Sequence, residues 1–214
     1  MLTRPLWAFV FVFCLIGLSG CVDPAQFGFA AGSTPQKTAE PGVQTTSYRG
    51  LVVSAPSGFC FSKRLGGRAL AALPCGALGK GGWPDVTGAV TLTVEPARSD
   101  FPDHAALAKL VSSQEGRSAL TADQSKGTAK IREIWQQPDA LYLYIDDPTA
   151  RSFGQASSPH WQVIARVKTK WISLRVSGYN SARVSRSDGF GLAKQMIAAL
   201  QTGNQGPQNI LRLR

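Results

Sequence analysis

Histidine and cysteine are scarce in this chain: 214 residues hold two of the first and four of the second. Four cysteines in a chain of this length exclude a disulfide-dense miniprotein. The two histidines, His104 and His160, form no His-x₃-His pair, and no metal site is assigned. Gly-x-Ser-x-Gly, Ser-x-x-Lys, His-Glu-x-x-His and Gly-rich phosphate loops are all missing. No motif therefore assigns a reaction, and neither a catalytic residue nor a cofactor is named. No apolar run reaches the roughly 20 residues that a spanning helix needs. Acidic residues number 13 against 23 basic ones, a net charge of +10. What is present is a 43% hydrophobic composition, enough for a packed core and against global disorder. The length suits one domain of ordinary size or two small ones. The 22 Gly and 13 Pro follow no period, which excludes collagen and points to many turns.

The N-terminus carries an address. After Arg4, Leu6 to Leu18 is apolar throughout, the length of a secretory signal's central region. The run ends in Leu18-Ser19-Gly20-Cys21, which resembles the lipobox of bacterial lipoproteins. That resemblance implies cleavage before Cys21, a thioether link from Cys21 to diacylglycerol, and acylation of the new N-terminus. Two or more acyl chains anchor a protein stably, at about 0.8 kcal/mol per buried methylene. Val22 rather than Asp follows the cysteine, which leans towards the outer membrane over the inner one. The expected location is a cell membrane or outer membrane, with the chain facing the periplasm. Residues 22–47 lack apolar periodicity and are rich in Gly, Ser, Thr, Pro and Gln. They read as a flexible tether with a reach of roughly 25–30 Å.

Cys14 leaves with the signal, and Cys21 is committed to lipid by the resemblance. Cys60 and Cys75 remain, and an even pair in an oxidising periplasm reads as a disulfide. The alternative is a redox site, but the spacing is not Cys-x-x-Cys.

Strands are expected over 48–54, 59–62, 69–73, 89–94, 130–136, 141–145, 161–167 and 171–177, from β-branched content and alternation. Ser99 or Asp100 offers an N-cap, with Pro102 in the first turn and a stripe of Leu107, Leu110 and Val111. Ser112 or Ser113 restarts a helical turn that runs to Leu120. Lys168-Thr169-Lys170 turns the last hairpin. Ser187 caps a final helix that buries Leu192, Met196, Ile197 and Leu200. Strands this close in sequence pair antiparallel, and helices between strand groups indicate an α+β fold: an antiparallel sheet flanked by helices. One domain spans 48–201, and 202–214 is a tail.

Gly58-Phe59-Cys60, Pro74-Cys75, the run Gln114 to Leu120 and the closing hairpin and helix resemble a group of alphaproteobacterial envelope lipoproteins, a resemblance that implies no particular activity. The element order resembles the PsbP-like α/β/α sandwich of photosystem extrinsic proteins, an analogy of fold only.

The charge is uneven. Residues 21–150 carry twelve basic and twelve acidic side chains, whereas 151–214 carry ten basic and one acidic, Asp188. In the last hairpin, Arg166, Lys168, Lys170, Trp171 and Arg175 are the candidates for meeting an anionic partner. Ile172, Leu174 and Val176 must face the core, which turns Trp171 and Arg175 the other way. The bland alternative is a solvated surface with Trp171 under a covering helix or loop. An exported chain does not meet nucleic acid, so the partners considered are the membrane itself through the N-terminal lipid, anionic lipid, lipopolysaccharide or an acidic envelope protein. Asp146-Asp147 before Pro148 admits an acid–base reading but suits a strand-ending turn better. The expected function is a lipid-anchored binding or accessory module; the alternatives are a hydrolase-like periplasmic enzyme whose site follows no motif, and a structural spacer.

Overall fold

The computed structural model describes residues 43–62, 68–96, 102–123, 129–152, 155–156, 158–180 and 182–205. Cys21 and the lipobox lie outside the described residues. Among those described, the chain forms β1 Thr45–Tyr48, β2 Leu51–Ser54, β3 Phe59–Ser62, β4 Leu70–Pro74 and β5 Ala89–Pro96. Helices α1 His104–Ser112 and α2 Gln114–Leu120 follow. Then come β6 Lys130–Gln136, β7 Ala140–Asp146, β8 Arg151–Ser152, β9 Gln155–Ala156, β10 His160–Val167, β11 Lys170–Ser177 and α3 Arg186–Asn204.

Seven strands make one sheet in the order β3-β4-β5-β11-β10-β7-β6, with every neighbouring pair antiparallel. The fold is α+β. Strict alternation gives the sheet two working faces. Val163, Ala165 and Val167 of β10 and Ile172, Leu174 and Val176 of β11 are buried on one face, against Leu192, Ala193, Met196, Ile197 and Leu200 of α3 and Leu51 and Val53 of β2. On the other face Leu141, Leu143 and Ile145 pack with Leu107, Ala108 and Val111 of α1. The two cores, the disulfide and all sheet pairings of the described residues lie within 43–205. The described residues belong to one compact unit.

Several boundaries move from their sequence-based places. The 22–47 stretch read as tether yields its last residues to β1, which pairs Tyr48 with Leu51 and Thr45 with Ser54. The domain read as ending at 201 continues to Asn204, buried at the end of α3. Its side-chain oxygen accepts from Val52 N at 2.9 Å, and its amide donates to Val52 O at 2.7 Å. A polar side chain thus stands in for a strand partner, which apolar periodicity does not register. Asp103 rather than Ser99 or Asp100 caps α1, accepting from Ala106 N at 2.7 Å; the two earlier residues lie outside the described set. Leu110, placed in the buried stripe, is 51% exposed because Ala108 takes the inward position with Leu107 and Val111. Ser113 caps α2, as one of the two expected serines, and Ser185 rather than Ser187 caps α3.

Cys60 and Cys75 are bonded, with Cα atoms 4.8 Å apart, and tie β3 to the 3-10 turn Cys75–Leu78 that follows β4. Both sulfurs are buried at the β3 end of the sheet. Closing a loop of this length contributes roughly 3 kcal/mol. Replacing both cysteines by alanine is expected to lower the melting temperature by about 6–12 °C in a domain of this size. A shift within ~2 °C of zero would show that strand pairing alone holds this edge.

Candidate anion-binding end of the sheet

Strands β10 and β11 are joined by a two-residue turn, Lys168-Thr169, because Val167 pairs with Lys170. Lys170 therefore begins β11 instead of completing a three-residue turn. Arg166 stands opposite Trp171 on the face that α1 partly covers. Its Nε donates to Lys168 O at 3.4 Å, drawing the guanidinium towards the turn. Arg166 and Lys168 are exposed and Lys170 is half-buried. These three cations gather at one end of the sheet. The chain enters the domain at the other end, where Gln44 O accepts from Ala55 N and Gln44 Oε1 from Phe61 N.

Two of the five candidates do not belong to this cluster as open contacts. Trp171 is half-buried, and the His104 ring at the start of α1 stands edge-on to it, with centroids 6.4 Å apart. The covering helix of the bland reading is therefore present. Arg175 lies five residues further along β11, roughly 17 Å from Lys170 at the usual strand rise. It is half-buried, and its guanidinium lies 3.3 Å from His160 Nδ1. Burial lowers the Arg175 pKa, opposed by the charge of Asp147. Arg175 is thus part of a polar interior, and alternation alone did not reveal it because the sequence does not say what covers that face.

That interior centres on the two adjacent aspartates. Asp147 is 1% exposed. Its carboxylate accepts from Ala122 N at 2.8 Å, Thr149 N at 2.9 Å and Thr149 Oγ1 at 2.6 Å. Its own amide donates to Ser158 Oγ at 2.8 Å. Burial opposes its ionisation, but the Thr149 hydroxyl, the Ala122 and Thr149 amides and the charge of His160 together hold its pKa below the ordinary carboxylate value. Asp146 faces outward to an ion pair with Arg132, and it accepts from Ser158 Oγ at 2.9 Å. Its pKa is also lowered, first by Arg132 and then by Ser158. Both carboxylates are spent on holding loop ends to the sheet, which fits the strand-ending turn.

The remaining basic residues of the C-terminal third are dispersed. Arg186 forms an ion pair with Glu133 on the edge strand β6 and stacks over the Trp135 ring at 5.8 Å. Lys194 lies 5.7 Å over the Phe190 ring. Arg212 and Arg214 lie outside the described residues.

No protein-family model matches the chain, and no curated protein matches its sequence. Among solved structures, the Saccharomyces cerevisiae Ran-binding protein Mog1p aligns with 77% of this chain and 95% of its own, at 8% identity and a TM-score of 0.43. Cyanobacterial PsbP (CyanoP) from Synechocystis sp. PCC 6803 aligns with 81% of this chain and 96% of its own, at 11% identity and a TM-score of 0.43. Both likenesses are remote.

Proposed function

We propose that this chain is a lipid-anchored protein of the bacterial envelope, held by Cys21, and that its domain is a binding module for an anionic envelope component. The signal-like apolar run and Leu18-Ser19-Gly20-Cys21 support the anchor. The observation that carries the binding reading is the gathering of Arg166, Lys168 and Lys170 around one turn. Arg175, engaged with His160 in the interior, takes no part. Each cation close to an anionic surface contributes about 1 kcal/mol, within a Debye length of roughly 8 Å at physiological salt. Three acting together give measurable binding where one does not.

The test uses residues 43–205 and a variant with Arg166, Lys168 and Lys170 replaced by glutamine. The parent protein is expected to bind envelope fractions in a salt-sensitive way, and the variant to bind them roughly 100-fold more weakly, about 1 kcal/mol per charge. A parent protein that shows no salt-sensitive binding to any envelope fraction would leave the basic end as solvated surface only.

A further inference from the structure

Two backbone outliers mark the same end of the molecule. Arg49 has φ 49° and Lys168 has φ 54°, in the left-handed region that residues with a Cβ rarely adopt. Each is the first residue of a two-residue hairpin turn, the first turn set by Tyr48 opposite Leu51 and the second by Val167 opposite Lys170. Asparagine, aspartate and glycine are the usual choices there. Among the described residues the other non-glycine with positive φ is Asn180, a type suited to it. The two ill-suited residues are both basic, and their turns are neighbours. Lys170 Cε lies 3.6 Å from where a Cβ on Gly50 would stand. Arg49 Nη1 donates to Val94 O at 2.9 Å, fastening its turn to β5, whose Val94 pairs with Ile172 of β11.

We infer that Arg49 is a fourth cation of the surface formed by Arg166, Lys168 and Lys170, and that this surface takes the headgroup layer of an anionic phospholipid membrane. The inference rests on the binding reading above and names its partner. The large exposed apolar side chains among the described residues are Val43, Val52, Trp83, Leu110 and Trp135, and none sits on either turn. The fully buried core of a protein–protein contact is more apolar than its rim. A layer of phosphates needs only charge, and charge sits at positions where glycine or asparagine would fold more easily.

The test measures binding of residues 43–205 to phosphatidylglycerol vesicles, to phosphatidylcholine vesicles and to soluble polyglutamate, alongside thermal melting. Arg49→Gln and Lys168→Gln should each weaken binding to phosphatidylglycerol about fivefold, the effect of one surface charge. Arg49→Lys, which keeps the charge, should bind like the parent. Lys168→Gly should weaken binding as much as Lys168→Gln while raising the melting temperature by about 2 °C, since it relieves the turn. If Arg49→Gln binds like the parent while the triple glutamine variant does not, Arg49 is outside the surface and the binding reading still stands. Equal loss in Arg49→Gln and Arg49→Lys would make the effect structural and overturn the inference. Retention by polyglutamate but not by phosphatidylglycerol would replace the lipid with an acidic protein. A parent that binds none of the three overturns the inference; if it also ignores envelope fractions, the binding reading falls with it.

Discussion

Trp161→Ala is expected to lower the melting temperature of the domain by about 8–16 °C, the consequence of losing roughly 4 kcal/mol. Trp161 is 1% exposed and sits where β10 meets α3. Its ring packs against Tyr144 and Phe190, with centroids 5.0 Å away in each case, and against Trp135 at 6.2 Å. Its Nε1 donates to Arg186 O at 2.9 Å, which gives the buried indole N–H its partner in the first turn of α3. A Cβ on Gly189 would stand 2.8 Å from Trp161 Cδ1, so the helix approaches the indole at a position where only glycine leaves room. Truncation removes the filling of that space, the aromatic contacts and the hydrogen bond together. Differential scanning calorimetry checks it. A loss below ~1 kcal/mol would mean that Phe190 and Trp135 collapse into the space.

The second large effect concerns Asp147→Asn. An amide in place of the carboxylate turns an NH₂ group towards donors that have lost their acceptor: the Ala122 amide, the Thr149 amide or the Thr149 hydroxyl. It also leaves Arg175 and His160 without the nearby negative charge. Breaking a buried polar network by neutralising one member costs about 3 kcal/mol, which in melting temperature is about 6–12 °C. The pH dependence follows from the sign of the shifts. Asp147 and Asp146 both have lowered pKa values in the folded state. Their stabilisation is complete above the unfolded value near 4, and it is lost as pH falls through the lower folded values. The parent should therefore lose stability as the solution is acidified below about pH 4. Asp147→Asn should start lower at neutral pH and fall less steeply. A variant that melts like the parent at neutral pH would show the carboxylate to be dispensable to the loop ends it holds.

Much of the sheet is legible in the sequence because its strands alternate. Val90, Leu92 and Val94, or Ile172, Leu174 and Val176, declare an inward face without any knowledge of what covers it. The same property limits the reading of function. Alternation gives Trp171 and Arg175 their side of the sheet, and a covering helix over Trp171 is the bland reading of that face, but the interior around Arg175 forms only through the non-local approach of His160 and Asp147. Asp147 and His160 are thirteen residues apart, and neither their shared interior nor the ties to Ala122 and Thr149 carry a local signal. Arg49 was missed for a related reason. It lies in the part of the chain with balanced charge, and only the packing of β1 and β2 beside β5 brings its turn to the Lys168 turn. The positive φ of Arg49, followed by Gly50 at φ 78°, had a partial sequence signature in the glycine between two β-branched runs.

The most direct measurement of the anchor is the mass of the mature N-terminus, isolated from envelopes of a bacterial host expressing the whole chain. A terminal peptide that begins at Cys21 and carries a diacylglyceryl thioether is expected, with the chain recovered in the detergent phase. A mature chain beginning at Met1, or at Val22 with a free amine, would contradict it and leave the basic end without the membrane it is proposed to meet.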